Sequence, residues 1–339
     1  MIKPTAQIAL LALCGFSSSA PAQTELLFNS IALPGHFLNT GLVQPYAKEI
    51  ERITEGRVRV RIPAQSVAPP PDQVDAVQQG LADVAYIFNA FVEKRAPLMQ
   101  IAQLPLLQTT AEGNAVALWR TYKRYFEPRN EFGGVVVLGA WSGPGGELYS
   151  MKDPIESVAS LKKFKMWTLP GTSARALTAL GVPVVPGPAV RIFEIVSKGT
   201  VDGHAGLAIG DLERYKIDQF TRSVTLVPGK LFAPTFTVFM NEKRWAALSE
   251  RDRKAIEGVS GEALARLARN WDEADRAGEQ RFRAGKQVVT PSSSFVADLE
   301  KAWKPLHEEW IANANKSGID GKAAFGYFVE QSRAVSASR

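Results

Sequence analysis

The sequence predicts an α/β protein built from two similar lobes, and three observations carry that prediction. Strand-like and helix-like segments alternate along the chain, the order that gives a mostly parallel sheet covered by helices. A segment around Gly80 recurs around Gly199 in the same setting. Two long apolar segments, residues 135–141 and 235–240, are spaced to cross between the halves and make a hinge of β-strand. The length of 339 residues agrees, because single cores stop growing at about 250–300 residues.

The elements follow in order. Lys3, an apolar run from Ile8 to Phe16 and the Ala20-Pro21-Ala22 pattern read as a secretory signal, too short to span a bilayer. Cys14 lies inside that run, so cleavage after Ala22 leaves no thiol. The rival reading, a lipoprotein signal with Cys14 lipidated, places bulky Leu13 where a small residue is expected. Residues 25–30 form an apolar strand. The loop 33–41, containing Phe37, leads to a helix with Leu42, Val43, Tyr46, Ile50 and Ile53 on one face. Residues 57–62 alternate Arg and apolar residues, as a half-buried strand with a solvated face does. Pro69-Pro70-Pro71 opens a helix with Val74, Val77 and Leu81 inside, and residues 83–88 read as a strand.

The repeat is Val77-x-x-Gly80-x-x-Asp83 against Val196-x-x-Gly199-x-x-Asp202, offset by 119 residues. Each copy follows a basic strand and a Pro-rich turn, which points to a duplicated α/β unit. Residues 249–284 carry a long charged helical pattern that spans roughly 50 Å if unbroken, with kinks expected at Gly258, Gly261 and Gly278. Residues 292–315 form a final helix. Residues 1–22 are assigned to the signal, 23–145 with 234–270 to the first lobe, 146–233 with 271–330 to the second, and 331–339 to a C-terminal tail.

Composition narrows the function. The chain is 45% hydrophobic and 22% charged, an ordinary globular balance, and no later run of ~18 apolar residues suggests a membrane span. The +6 net charge is scattered, without a basic block, so nucleic acid is not expected as a partner. Three separated His and a single Cys argue against a zinc cluster and a disulfide framework, and no cofactor is expected. An exported chain without disulfides fits a bacterial periplasm. No G-x-S-x-G elbow or G-x-x-x-x-G-K-[ST] loop occurs, and the Asp202-Gly203-His204 run lacks a nucleophile beside it. Two lobes, a hinge and no catalytic constellation point to a cleft that closes on a small solute and not to an enzyme.

The residues then match a family. Leu38-Asn39-Thr40-Gly41, Ala68-Pro69-Pro70-Pro71-Asp72-Gln73, Gly80-Leu81-Ala82-Asp83-Val84-Ala85, residues 161–165 (LKKFK), residues 180–184 (LGVPV) and residues 199–203 (GTVDG) occur in family order. By these pieces the chain resembles the periplasmic solute-binding proteins of TRAP transporters, the DctP type. The resemblance implies a two-lobed periplasmic solute-binding fold with a β-strand hinge and a long helix spanning both lobes. It also implies delivery of one small organic solute to a small and a large membrane subunit, by a receptor expected to be a monomer.

The departures from the family pattern concern the ligand clamp. Relatives usually hold a carboxylate with an Arg after the strand that here ends at Met166; the aligned residue is Trp167. A second Arg position falls at Gly146, followed by Glu147, and an Asn position falls near Gly206, close to His204. An indole offers one N–H and a ring face, so it cannot reproduce a guanidinium fork. The resemblance places Phe37, Phe88, Asn89, Trp141, Glu147, Trp167, His204 and Phe232 at the ligand site, with Phe91 and Phe236 nearby. Arg95, Arg175, Arg191 and Lys230 remain as cationic substitutes. An aromatic pocket of this kind suits a neutral, aromatic or amine-bearing solute better than a simple dicarboxylate. The alternatives are a monocarboxylate held by a non-standard clamp and a receptor that feeds a sensor kinase.

Overall fold

The computed structural model describes residues 23–338. The expected signal and Cys14 lie outside the described residues. The strands are β1 (Thr24–Asn29), β2 (Val58–Arg61), β3 (Val84–Phe88), β4 (Val135–Ser142), β5 (Leu148–Ser150), β6 (Met166–Thr168), β7 (Val184–Pro186), β8 (Gly203–Ala205), β9 (Ser223–Thr225), β10 (Thr235–Asn241) and β11 (Gln287–Val289). They form two sheets, ordered β2-β1-β3-β10-β4 and β11-β9-β5-β8-β6-β7.

The sheets repeat one plan. In the first, β2, β1 and β3 run parallel and β10 returns antiparallel beside β3. In the second, β7, β6 and β8 run parallel and β5 returns antiparallel beside β8. The sequence repeat sits at the same place in each. Gly80 and Gly199 both adopt positive φ, 79° and 63°, which suits glycine at a helix end. Each donates its N–H three residues back, to Val77 O and Val196 O, both at 3.0 Å. Asp83 and Asp202 then each accept a backbone N–H from the neighbouring chain, Leu27 and Lys165, both at 2.8 Å. The shared Gly and Asp therefore do the same work twice: one ends the helix and the other ties down the strand that follows.

The first sheet is apolar on both faces. Along β3, Val84, Tyr86 and Phe88 join one core while Ala85 and Ile87 join another, the period of two expected of a strand. The three arginines near β2 lie on a solvated face as expected: Arg57 pairs with Asp252 at 2.8 Å and Arg61 with Glu25 at 2.9 Å. Beyond β4 and before β10 the two crossing segments bond to each other. Gly143 N–H donates to Pro234 O (2.8 Å) and Gly146 N–H to Phe232 O (2.7 Å), so the link between the sheets is a narrow antiparallel ribbon.

The helical pattern over 249–284, with kinks expected at Gly258, Gly261 and Gly278, is broken outright near the second of these. It is three helices, Glu250–Val259, Glu262–Arg266 and Arg269–Gly285. The break centres on Gly261, whose φ of +60° and N–H bond to Leu138 O (2.7 Å) tie the chain to β4. A side chain at Gly261 would also strike the Trp119 indole. Gly278 does not break its helix; it lets the helix lie against the backbone of Gly210. The helix Ser293–Lys316, roughly 36 Å long, bridges the lobes. Near its middle Trp303 Nε1 donates to Ala176 O (2.8 Å) beside the second sheet, and one turn on His307 Nε2 donates to Pro105 O (2.8 Å) beside the first. Residues 331–337, expected as a tail, belong to the helix Gly321–Ala337. Its small residues pack flat: Ser332 and Thr109 share a hydroxyl contact of 2.7 Å.

Two glycines make opposite predictions. A Cβ on Gly278 would lie 2.4 Å from Gly210 Cα, whereas one on Gly258 meets nothing. Denaturant melts of Gly278→Ala should show a loss of about 1–3 kcal/mol. Gly258→Ala, in a helix with room to spare, should gain about 0.5–1 kcal/mol. Equal effects at the two positions would contradict the close helix crossing.

Candidate functional site

The register of the first sheet builds an aromatic wall. Phe236 on β10 stands opposite Phe88 on β3 and opposite Trp141 on β4, so three rings form one row across neighbouring strands. Phe88 and Phe236 lie 5.6 Å apart, and Tyr86 packs on Trp141 at 5.7 Å and on Phe236 at 5.8 Å. Phe88 is the last residue of β3, so the row ends where the strand ends, the usual mouth of a ligand site in a parallel sheet.

The principal cleft opens there, with an empty volume of about 710 Å³ including its mouth. The first lobe contributes Ile31, Ala32, Leu33, His36, Leu38, Pro70, Phe88 and Phe91. The second contributes Leu169, Pro188, Ala189, Val190, Leu207, Asp211 and Tyr215, while Pro234, Phe236 and Trp271 of the helix Arg269–Gly285 complete the lining. Leu33 and Val190 are exposed apolar residues among these. No lysine or arginine is among the lining residues.

The polar residues of the lining form one group. His36 Nε2 lies 3.1 Å from Tyr215 Oη, across the cleft, and His36 Nδ1 accepts the Leu38 N–H at 3.1 Å. Asp211 pairs with Arg214 at 2.6 Å, and the Arg214 guanidinium rests 5.5 Å from the Phe37 ring centroid. Burial lowers the His36 pKa, with Asp211 pulling it up and Arg214 pushing it down, so the imidazole is neutral at pH 7. Burial raises the Tyr215 pKa, with Asp211 adding to the effect, so the phenol keeps its proton.

Of the residues expected at the site, Phe88 lines the cleft and Phe37 and Phe232 stand beside it. Phe37 packs on Trp271 at 5.5 Å and Phe232 on Phe88 at 6.3 Å. The others sit deeper. Trp141 is fully buried with Nε1 donating to Leu264 O at 3.2 Å. Asn89 joins Thr235 and Thr237 in an internal network, donating to Thr235 Oγ1 (3.0 Å) and accepting from Thr237 Oγ1 (2.7 Å). Trp167 and His204 are buried register partners on β6 and β8. The Trp167 Nε1–H has no hydrogen-bond partner among the described residues, and a Cβ on Gly187 would lie 3.3 Å from Nε1. His204 stacks on Tyr149 at 4.7 Å and donates from Nε2 to Thr221 Oγ1 at 2.9 Å, because that hydroxyl spends its own proton on Ile217 O. Burial pushes the His204 pKa down to about 3.

The two glycines at clamp positions touch. A Cβ on Gly146 would lie 2.2 Å from Gly206 C and 2.4 Å from Gly206 Cα, so Gly146 has no room for a side chain while this contact lasts; Gly206, at φ +86°, would set a Cβ 2.8 Å from Ser173 Oγ. The cations considered as substitutes are all engaged: Arg95 with Asp75 (3.1 Å), Arg175 with Glu93 (2.9 Å), Arg191 with Glu194 (3.4 Å) and Lys230 with Glu147. Glu147 also accepts the Val227 N–H at 2.7 Å. Burial raises its pKa to about 7 against the opposing pull of Lys230 and that N–H. Sequence reasoning missed His36, Tyr215 and Trp271 as site residues. Trp271 carried only the signal of an apolar helix position, and the other two lie on a loop and just past a short helix.

The model of the DctP family, described as bacterial extracellular solute-binding protein, family 7, matches residues 28–313. A protein of Comamonas testosteroni named outer membrane transporter protein TsaT is 38% identical over 327 residues, 96% of each chain. A TRAP periplasmic solute-binding protein of Bordetella bronchiseptica, solved with bound (R)- and (S)-mandelate, is 29% identical with a TM-score of 0.88. That likeness covers 92% of this chain and 99% of the other. A marine-metagenome TRAP solute-binding protein described as specific for aromatic acid ligands, solved with 3-hydroxybenzoate, is 25% identical with a TM-score of 0.83, covering 92% of this chain and 98% of the other.

Glu147 makes a signed prediction. Below pH 4.5 its carboxyl is protonated in both folded and unfolded chains. Between 4.5 and about 7 the folded chain holds a proton that the unfolded chain has released, so stability falls as pH rises through that window. Above it the buried charge persists. Glu147→Gln, neutral at every pH, should therefore gain on the wild type between pH 5 and pH 8, by on the order of 1–3 kcal/mol in denaturant melts. A difference that shrinks with rising pH would contradict it.

Proposed function

The chain belongs to the bacterial extracellular solute-binding proteins of family 7, and from that membership we propose that it captures an aromatic monocarboxylate in the cleft between its lobes. It is a TRAP-type solute receptor, not an enzyme, and it works with membrane permease subunits. The observation that carries the reading is the cleft lining: Phe88, Phe91, Phe236 and Trp271 around a space with no lysine or arginine in its wall. Flat apolar walls hold a ring through area and edge-to-face contacts. A small dicarboxylate would bring two charges and little apolar surface to such a wall, and buried unpaired carboxylates are costly.

The mandelate complex and the aromatic-acid-specific receptor support an acid over a neutral or amine-bearing aromatic. The carboxylate is then held by a non-standard clamp. Of the residues assigned to the site from sequence, we place Phe37, Phe88 and Phe232 in or against the ligand wall. Asn89, Trp141, Glu147, Trp167 and His204 form the layer behind it, where they set the position of the wall. The receptor acts as a monomer, in the periplasm, with residues 1–22 removed as a signal.

Two measurements test this reading. Titrations followed by tryptophan fluorescence should show mandelate or 3-hydroxybenzoate binding at least about tenfold tighter than succinate. Micromolar binding of the dicarboxylate with weaker binding of the aromatic acids would contradict it. Intact mass of protein from the native host should correspond to a start at or near Gln23 without lipid; a diacylglyceryl addition on Cys14 would replace a free periplasmic receptor with an anchored one.

A further inference from the structure

We infer that Tyr215 and Trp271 form a neutral donor pair that reads the acceptor group of the solute, and that His36 positions it. The inference rests on the proposed aromatic-acid reading and names the clamp that such a solute requires.

The Leu38 backbone N–H can donate only to a bare ring nitrogen, and it donates to His36 Nδ1. A neutral imidazole then carries its proton on Nε2, which faces Tyr215 Oη at 3.1 Å. His36 is therefore the donor and Tyr215 the acceptor. The phenol O–H is left free to donate, and it has no other hydrogen-bond partner among the described residues. Trp271 supplies a second free donor. Its ring lies 6.2 Å from His36 by centroids, lines the same cleft, and its Nε1–H has no hydrogen-bond partner among the described residues although the residue is 2% exposed.

The two residues line the cleft from different parts of the fold. Tyr215 belongs to the second lobe, and Trp271 to the helix Arg269–Gly285 that packs against both. His36 comes from the first lobe, so the proton arrangement at Tyr215 depends on the lobes being together. With no cation in the wall, two neutral hydrogens are the groups left to meet an oxygen acceptor.

The test is a set of titrations with mandelate, 3-hydroxybenzoate and the neutral amide mandelamide. Tyr215→Phe and Trp271→Phe keep the rings and remove one donor each; each should weaken binding of the acids about 10–100-fold with the melting temperature unchanged. His36→Ala should weaken it similarly, and His36→Gln, whose amide N–H reaches toward the same oxygen, should restore part of the loss. In the Tyr215→Phe background His36→Ala should cost nothing further, which a merely structural role would not produce. Wild-type affinity in Tyr215→Phe, or a loss from His36→Ala that adds to that of Tyr215→Phe, overturns the inference. So does a loss confined to Arg214→Gln, which would make the clamp cationic. If the wild type binds mandelamide and neither acid, the aromatic-acid reading fails, and the donor pair stands only if Tyr215→Phe weakens the amide. If none of the three probes binds, both fall.

Discussion

The contact between Gly146 and Gly206 constrains the rest of the site. A Cβ on Gly146 would sit 2.2 Å from the Gly206 carbonyl carbon, so backbone meets backbone where the chain enters the second sheet. The same stretch donates Gly146 N–H to Phe232 O and accepts the Leu231 N–H, which fixes the ribbon joining the sheets. A long side chain at Gly146 would push the ribbon away from Gly206. The absence of an arginine at Gly146 is thus a matter of packing as well as charge: the space it needs is filled by the other chain segment. This packing supports the proposal that recognition comes from aromatic walls and uncharged donors.

Charge around the cleft is arranged accordingly. Asp211, in the lining, is held by Arg214, and Glu147 near the ribbon is held by Lys230 and the Val227 N–H. Asp275, against Gly210, has its pKa raised to about 7 by burial, even though it accepts the Gly210 N–H at 2.7 Å. The acids nearest the site are therefore either paired or costly to ionise, which limits repulsion of a bound carboxylate. His36 and His204 remain neutral for the same reason, desolvation.

Much of the fold was legible because its signals are local. The Gly80/Asp83 and Gly199/Asp202 repeat specifies a helix end and a strand anchor within a few residues, and the runs at 135–141 and 235–240 are too apolar to be anything but buried strand. Gly261 marked a kink in the sequence, but the full break was not legible, because Gly261 turns in response to Leu138 and Trp119, both more than a hundred residues away. Strands of three residues, such as β5 to β9, carry too few side chains to show a period. Phe88 was placed at the cleft through the family resemblance, and it ends a recognisable strand. Tyr215, His36 and Trp271 were not singled out, since a helix end, a loop and the helix Arg269–Gly285 meet only in the folded chain.

We propose that a cleft walled by aromatic rings, with no cation among its lining residues, selects an aromatic solute with one acidic group. Mass spectrometry of the small molecule that copurifies with the native protein distinguishes this from the alternatives. The expected molecule is an aromatic monocarboxylic acid, released on denaturation at close to one equivalent per chain. A C4-dicarboxylate, a sugar acid or an aliphatic amine in its place would contradict it.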